Sequence, residues 1–221
     1  MANLRQRFVR AIYATHNESS RVQLALSKCI SYLEQGDVGL NVGAGHSHMH
    51  PAILNLDIVP TESVHVVAKA EYLPFADNCF KLVVTQETLE HVSDPFQAVQ
   101  EIFRVLKPGG IVYCQVPFTI GYHPGPTDFW RFSIEGIQEM IQRAGFHCDQ
   151  VEIAVGPATG FYRVAVEFWA VLISMLSSRL YYPSKALAAL LLFPIKWLDP
   201  ILIRSFQADR IAGGYYIIAH K

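Results

Sequence analysis

Leu40-Asn41-Val42-Gly43-Ala44-Gly45-His46-Ser47 decides how this chain is read. A short apolar run leads into two glycines one residue apart, and Asp57 closes a second apolar run 12 residues beyond Gly45. The pattern predicts a strand, a tight turn whose backbone a ligand can approach, and a second strand ending in a carboxylate. Glycines are common in turns for purely steric reasons, so the weight falls on the segments downstream.

Those segments alternate in the manner of an α/β fold. Strands are expected at Gly39 to Val42, Ile53 to Ile58, Val64 to Ala68, Phe80 to Thr85, Ile111 to Val116, His147 to Val155 and Gly214 to Ala219. Helices are expected over residues 3–15, from Val22 to near Gln35-Gly36, and from Pro95 to Val105. A further one is expected from Ser133, which can cap it, to Gly145. Pro51 and the early start of the second strand leave little room for a helix between the first two strands. Nearly continuous apolar strands joined by crossovers argue for a mainly parallel sheet covered on both faces.

With 221 residues, 51% apolar and 17% charged, the chain is expected to bury a sizeable core rather than stay disordered. The formal charge of −1 and the absence of a basic tract argue against nucleic-acid binding. Cys29, Cys79, Cys114 and Cys148 form no CxxC pair or compact disulfide framework, which suits a reducing interior. Met1 to Thr15 carries three arginines and no continuous apolar core, unlike a secretory signal. A cytoplasmic location, or a peripheral one on a membrane, is expected.

The organisation read from this pattern is an N-terminal helical cap over 1–36, a cofactor-binding core over 37–160, an apolar helical insertion over 161–210 and a final core strand over 211–221. Within the insertion, Phe168 to Ser178 and Ala186 to Ile195 are free of charge, yet both fall short of the roughly 18–20 residues that span a bilayer. Three readings of 161–210 stay open: a wall of an apolar-substrate pocket, a membrane-facing surface, and a protein or homodimer interface.

Asp57 is placed to accept hydrogen bonds from a ribose diol, with a turn cap as the plainer alternative. A nicotinamide-binding unit would set its acidic contact about 20 residues beyond a fuller GxGxxG turn, so the short interval disfavours an NAD-dependent oxidoreductase.

The motifs continue in order through Asn55-Leu56-Asp57-Ile58, Ala70-Glu71-Tyr72-Leu73-Pro74-Phe75, Glu87-Thr88-Leu89-Glu90-His91-Val92 and Glu101-Ile102-Phe103-Arg104-Val105-Leu106-Lys107-Pro108-Gly109-Gly110. Over about residues 38–155 the chain resembles the class I S-adenosylmethionine-dependent methyltransferases, in particular the type 11 or UbiE-like group. That resemblance implies a Rossmann-like fold with a seven-stranded sheet and S-adenosylmethionine as cofactor. It further implies that Gly43, Ala44 and Gly45 cradle the methionine part, that Asp57 holds the ribose, and that Glu71, Tyr72 and Leu73 lie near the adenine. Gln86 and Glu87 would border the sulfonium and the substrate, and Arg104 would be structural. Where relatives carry acidic residues, this chain has Asn41, whose amide would replace a charged contact to the cofactor's amino group, and Lys69. Ser47 stands at the usual third glycine. These departures, with the insertion, keep open a non-catalytic binding or assembly protein.

Tyr122-His123-Pro124-Gly125-Pro126-Thr127-Asp128-Phe129-Trp130-Arg131-Phe132 follows the fifth strand and resembles a substrate-facing loop. His123 is the first candidate for the base that takes a proton from a hydroxyl acceptor. Asp128 would orient it, and His91 is the second candidate. His123, Trp130 and Arg131 are the candidate substrate contacts; the alternative is a loop-fixing network in which Arg131 pairs with Asp128 and Trp130 is core. The expected acceptor is a small or lipid-like molecule, methylated at oxygen. His46, His48 and His50 alternate as metal ligands can, but no metal is expected there or elsewhere.

Overall fold

A computed structural model describes residues 19–221; the helix expected over residues 3–15 lies outside the described residues. Among them, α1 spans Ser20–Ile30, α2 Pro95–Val105, α3 Ile134–Arg143, α4 Pro157–Ser174, α5 Tyr181–Leu192 and α6 Asp199–Leu202. The strands are β1 Gly39–Val42, β2 Ile53–Asp57, β3 Val66–Val67, β4 Phe80–Gln86, β5 Leu106–Pro117, β6 His147–Val155 and β7 Gly214–His220. They form one sheet in the order β3-β2-β1-β4-β5-β7-β6.

β1 pairs in parallel with both β2 and β4, so the chain runs outward from β1 through β2 to the edge strand β3 and returns through β4 beside β1. That reversal puts the carboxyl ends of β1, β2 and β4 around one crevice, where open α/β sheets bind ligands. β7 runs against β5: Gly109 N–H donates to the Lys221 carbonyl at one end, and Phe118 N–H to the Gly213 carbonyl at the other. No helix separates β1 from β2, as Pro51 and the short interval led us to expect; turns and irregular chain fill residues 43–52.

The central strands are buried on both faces, and Leu40, Val42, Leu56, Val83, Val112 and Cys114 share a core cluster with the inner face of α2. Helix α2 starts where Asp94 accepts a hydrogen bond from Gln97 N–H at 3.0 Å with Pro95 at the first turn. It buries Ala98, Val99, Ile102 and Val105. Ser133 caps α3 through Gly136 N–H at 3.1 Å, as its sequence position implied.

β5 is longer than the sequence suggested. It begins at Leu106, and the register jumps from Phe80↔Leu106 to Leu82↔Ile111. The Lys107-Pro108-Gly109-Gly110 stretch is therefore a bulge inside the strand rather than a turn before it. Gly109 takes φ +70°, and a side chain on Gly110 would meet the Lys107 carbonyl at 2.8 Å. β3 is shorter than expected, only Val66–Val67.

The described chain divides into two compact units. One comprises Ser20–Pro117, His123–Glu152 and Tyr215–Lys221. The other contains Phe118–Tyr122 and Ile153–Gly214. In the second unit the Asp199 carboxylate caps α4, accepting from Ala158 N–H at 2.7 Å and Thr159 N–H at 3.1 Å. Glu167 of α4 is ion-paired with Lys185 of α5 and accepts from the Tyr181 hydroxyl at 2.6 Å. No described helix is long and apolar enough to cross a membrane.

Candidate active site

Gly43 and Gly45 both adopt left-handed backbone, φ +74° and +55°. Gly43 has a second constraint: a Cβ there would lie 2.1 Å from Thr88 Oγ1. Thr88 in turn donates to the Val42 carbonyl at 3.2 Å, tying the loop after β4 to the end of β1. At Gly45 a Cβ would project into open space, leaving the turn bare on its outer side. The turn is fastened from below by Gly43 N–H and Ala44 N–H, which donate to the Leu56 carbonyl at 2.9 and 3.0 Å. Thr61 and Ser63 hydroxyls both donate to the Gly45 carbonyl, at 2.7 and 2.9 Å.

Asp57 combines both roles considered for it. Oδ2 accepts from Gly45 N–H at 2.8 Å and Oδ1 from Val59 N–H at 2.9 Å, so the carboxylate caps two turns. It also lines the cleft, with lone pairs remaining on both oxygens.

That cleft has a volume of about 490 Å³, within the roughly 300–1,000 Å³ of small-ligand sites. Of the expected cofactor contacts, Gly43, Gly45, Asp57, Glu71 and Glu87 line it, and Lys69 does as well. Glu71 is held by the Ser93 hydroxyl, which donates to Oε1 at 3.0 Å. Glu87 sits at φ +52°, a conformation that costs a non-glycine residue about 1–3 kcal/mol and concentrates at functional sites.

Other expected contacts lie elsewhere. Asn41 is 1% exposed, and its amide donates to Asn55 Oδ1 at 3.2 Å across the paired strands, so it serves the core and is not among the lining residues. Ala44 and Leu73 are buried, Tyr72 points to solvent, and Gln86 donates to Gln115 Oε1 at 3.2 Å; none lines the cleft through its side chain. Leu73 N–H donates to Glu101 Oε2 at 2.9 Å. Arg104 completes that support, reaching Glu101, Asp77 and the carbonyls of Phe75 and Leu73. These bonds hold the guanidinium far up and the Glu101 carboxyl below the usual carboxylate range.

The 122–132 loop is fixed mostly by itself. Asp128 is gripped by both Arg131 nitrogens, at 2.6 and 2.7 Å, and by His123 N–H at 2.8 Å. The Arg131 bonds are the main reason its carboxyl falls to about 2. Trp130 is 40% exposed and donates its indole N–H to the Val92 carbonyl at 3.0 Å. The loop-fixing alternative thus describes Arg131 and Asp128, while Trp130 is an anchor rather than core. His123, Asp128, Trp130 and Arg131 are not among the lining residues of the cleft, whereas His91 is.

Phe129 and Trp130 N–H both donate to the Glu90 carbonyl, at 2.7 and 3.3 Å, and the Thr127 hydroxyl donates to the His91 carbonyl at 3.0 Å. These bonds strap the loop onto the short 3₁₀ turn Leu89–His91 and bring the His91 and His123 rings to 5.3 Å, edge to face. Sequence reasoning missed Glu90, which lies between them with its side chain wholly buried. Its position inside the Glu87–Val92 motif was visible, but not the histidine 33 residues later that it faces. His46, His48 and His50 are exposed on the β1–β2 connection and belong to neither group of three metal-capable side chains among the described residues.

A family model described as a methyltransferase domain matches residues 37–114. The UbiE ubiquinone/menaquinone biosynthesis C-methyltransferase of Haemophilus ducreyi is 52% identical over 46 residues, 21% of this chain and 18% of that protein. The chain spans between 16% and 33% of the curated relatives it matches. Among solved structures, Haemonchus contortus phosphoethanolamine N-methyltransferase 2 in complex with S-adenosyl-L-methionine aligns with TM-score 0.58 at 17% identity, over 97% of this chain and 56% of that one. The [4+2]-cyclase SpnF aligns with TM-score 0.53 at 18% identity, over 97% and 91%. At such identities these two likenesses show the fold. Over residues 37–114 the chain is thus similar to a methyltransferase domain, and its curated relatives include UbiE C-methyltransferases.

Proposed function

We propose that this chain transfers a methyl group from S-adenosylmethionine to a hydroxyl of a small or lipid-like acceptor. The observation that carries the reading is the convergence of the bare Gly43–Gly45 turn and the Asp57 and Glu71 carboxylates on one cleft inside the family-matched segment. The donor set suits that cofactor: a backbone turn open to close approach, a pinned carboxylate with lone pairs to spare for a diol, and a volume of the right order. When bound, S-adenosylmethionine supplies an electrophilic methyl on a sulfonium.

The protein's own contribution is alignment and removal of the acceptor's proton. His91 suits the second task better than His123 because it lines the cleft. Its Nδ1 meets the Thr127 carbonyl, which can only accept, so Nδ1 carries the proton and Nε2 keeps its lone pair. His123 stands behind it as a positioning residue. A lipid-like acceptor, and peripheral contact with a membrane, are supported by the exposed Phe168, Trp169, Met175, Leu176, Trp197 and Phe206 of the second unit.

Calorimetry with S-adenosylhomocysteine tests the donor. Asp57→Ala should weaken binding about 10- to 100-fold, the worth of a hydrogen bond to a charged group together with a loosened turn. Unchanged affinity would remove Asp57 from the site. Binding to NAD and to neither sulfur compound would overturn the assignment. Turnover against phenolic and lipid hydroxyls, compared with amines and carbon acids, tests the accepting atom.

A further inference from the structure

We propose that Glu90, His91 and His123 form a binding site for a divalent first-row transition metal ion. The Glu90 side chain is wholly shielded from solvent, and neither carboxylate oxygen has a hydrogen-bond partner. An ionised carboxylate stripped of water needs compensation from a hydrogen-bond donor or a cation. What faces Oε1 instead is two imidazole nitrogens, His91 Nε2 at 3.7 Å and His123 Nε2 at 3.8 Å. The three residues present donor atoms within 4.8 Å of one another. Around an ion at about 2.1 Å, tetrahedral donors sit about 3.4 Å apart, so each Glu90–histidine separation has to close by a few tenths of an ångström.

His91 is braced as a metal ligand is, with Nε2 turned to the centre and Nδ1 on the Thr127 carbonyl. His123 also turns Nε2 to the centre, and its Nδ1 lies 3.3 Å from Arg131 Nη2 and 3.5 Å from the Asp128 carboxylate. The Thr127 carbonyl fixes the His91 tautomer that leaves Nε2 its lone pair, whereas the guanidinium beside His123 Nδ1 leaves the proton on Nε2 for the ion to displace. The nearby Arg131 charge is already matched by Asp128. Glu87, on the same cleft, adds negative charge that acts on Arg131 along with Glu90. Two imidazoles and one carboxylate favour zinc, cobalt or manganese over magnesium, which prefers an all-oxygen shell. His91 lines the cleft, so an oxygen of the acceptor can reach the ion; a hydroxyl bound there would release its proton to solvent more readily. In that state the Nε2 lone pair holds the ion instead of taking the proton.

Protein stripped with a chelator and titrated with cobalt(II) and zinc(II), by calorimetry and visible absorption, tests the site. One equivalent should bind, with a ligand-field band for cobalt. Glu90→Gln and His123→Ala should each weaken it about 100-fold or more, since even outer-shell changes cost 10- to 100-fold. His220→Ala should leave the binding intact, which separates this site from the exposed His147, Asp149 and His220 group. Binding that survives both Glu90→Gln and His123→Ala, or that disappears with His220→Ala, overturns the proposal, as does no binding at all. S-adenosylhomocysteine affinity of the stripped protein is measured alongside. Its retention in the variants shows that they fold, and its absence from the parent protein would overturn the methyl-donor reading without touching the metal site.

Discussion

Adding one methyl group at Gly43 tests how the glycine turn is built. The left-handed φ of +74° costs an L-residue about 1–2 kcal/mol. The new Cβ would also fall 2.1 Å from Thr88 Oγ1 and 2.4 Å from Cγ2, an overlap that one of the two loops must relieve by moving. Overpacking of this kind costs about 1–3 kcal/mol. Gly43→Ala should therefore lose about 2–5 kcal/mol, which for a chain of this size lowers Tm by roughly 4–20 °C. Thr88→Ala alone should cost about 1 kcal/mol, the worth of the hydroxyl's bonds to the Val42 and Gln86 carbonyls. In the double variant the two closest overlaps are gone and the Thr88 Cβ remains at 2.8 Å. Thermal denaturation of all four proteins should then show the double variant about 1–3 kcal/mol better than additive. Additivity within about 0.5 kcal/mol would refute the packing argument and leave only the backbone term.

Four further outcomes follow from other residues. Arg104→Gln should destabilise the 73–77 loop, and the effect should depend on pH. Glu101 is held below its ordinary value by Arg104, so its contribution is present above the usual glutamate range and fades as pH falls through the lowered value. In parallel acid titrations of the two proteins, followed by fluorescence, the gap should narrow at low pH to what the carbonyl bonds of Arg104 contribute; a constant gap would separate Arg104 from Glu101. Burial pushes the Cys29 thiol up to about 11 and raises Cys114 as well, so both should resist iodoacetamide at pH 8 until the protein unfolds. Peptide mass spectrometry should find half-buried Cys79 alkylated first. Gly156→Ala would place a Cβ 2.2 Å from Asp199 Oδ1 and should displace the cap of α4, detected as amide exchange at Ala158 and Thr159. Replacing Trp197 and Phe206 with serine should reduce flotation with anionic phospholipid vesicles; a parent protein that never floats would end the membrane reading.

Local rules act between neighbours in the chain, and they made much of this protein legible. Apolar runs of four to nine residues with glycine and proline punctuation mark the strands, because a strand buried on both faces needs little else. The Ser133 signal marks a helix start, because capping is satisfied within three residues. Gly43, Gly45 and Asp57 reach the cleft because the turn and the strand end carry them there. The bulge in β5 escaped, since Lys107-Pro108-Gly109-Gly110 closes a helix as readily as it interrupts a strand, and only pairing with β4 decides between them.

Side-chain partners separated by tens of residues belong to the tertiary structure. Asn41 was assigned to the cofactor from its place in a motif, yet the neighbouring strand offers Asn55 in register and takes its amide into the core. For Arg131 both a substrate contact and a pairing with Asp128 stand open in the sequence, and in the fold Asp128 takes its fork. Glu90 attracted no attention because nothing adjacent to it gives a reason to bury a carboxylate. The reason appears when the 122–132 loop folds onto the Leu89–His91 turn and sets His123 against it. Sequence alone determined the strand order's raw material and the turn that faces the methyl donor, through short-range periodicity and backbone sterics. Only the fold decided which polar groups are consumed holding it together and which remain to act, since desolvation and pairing depend on what comes close in space.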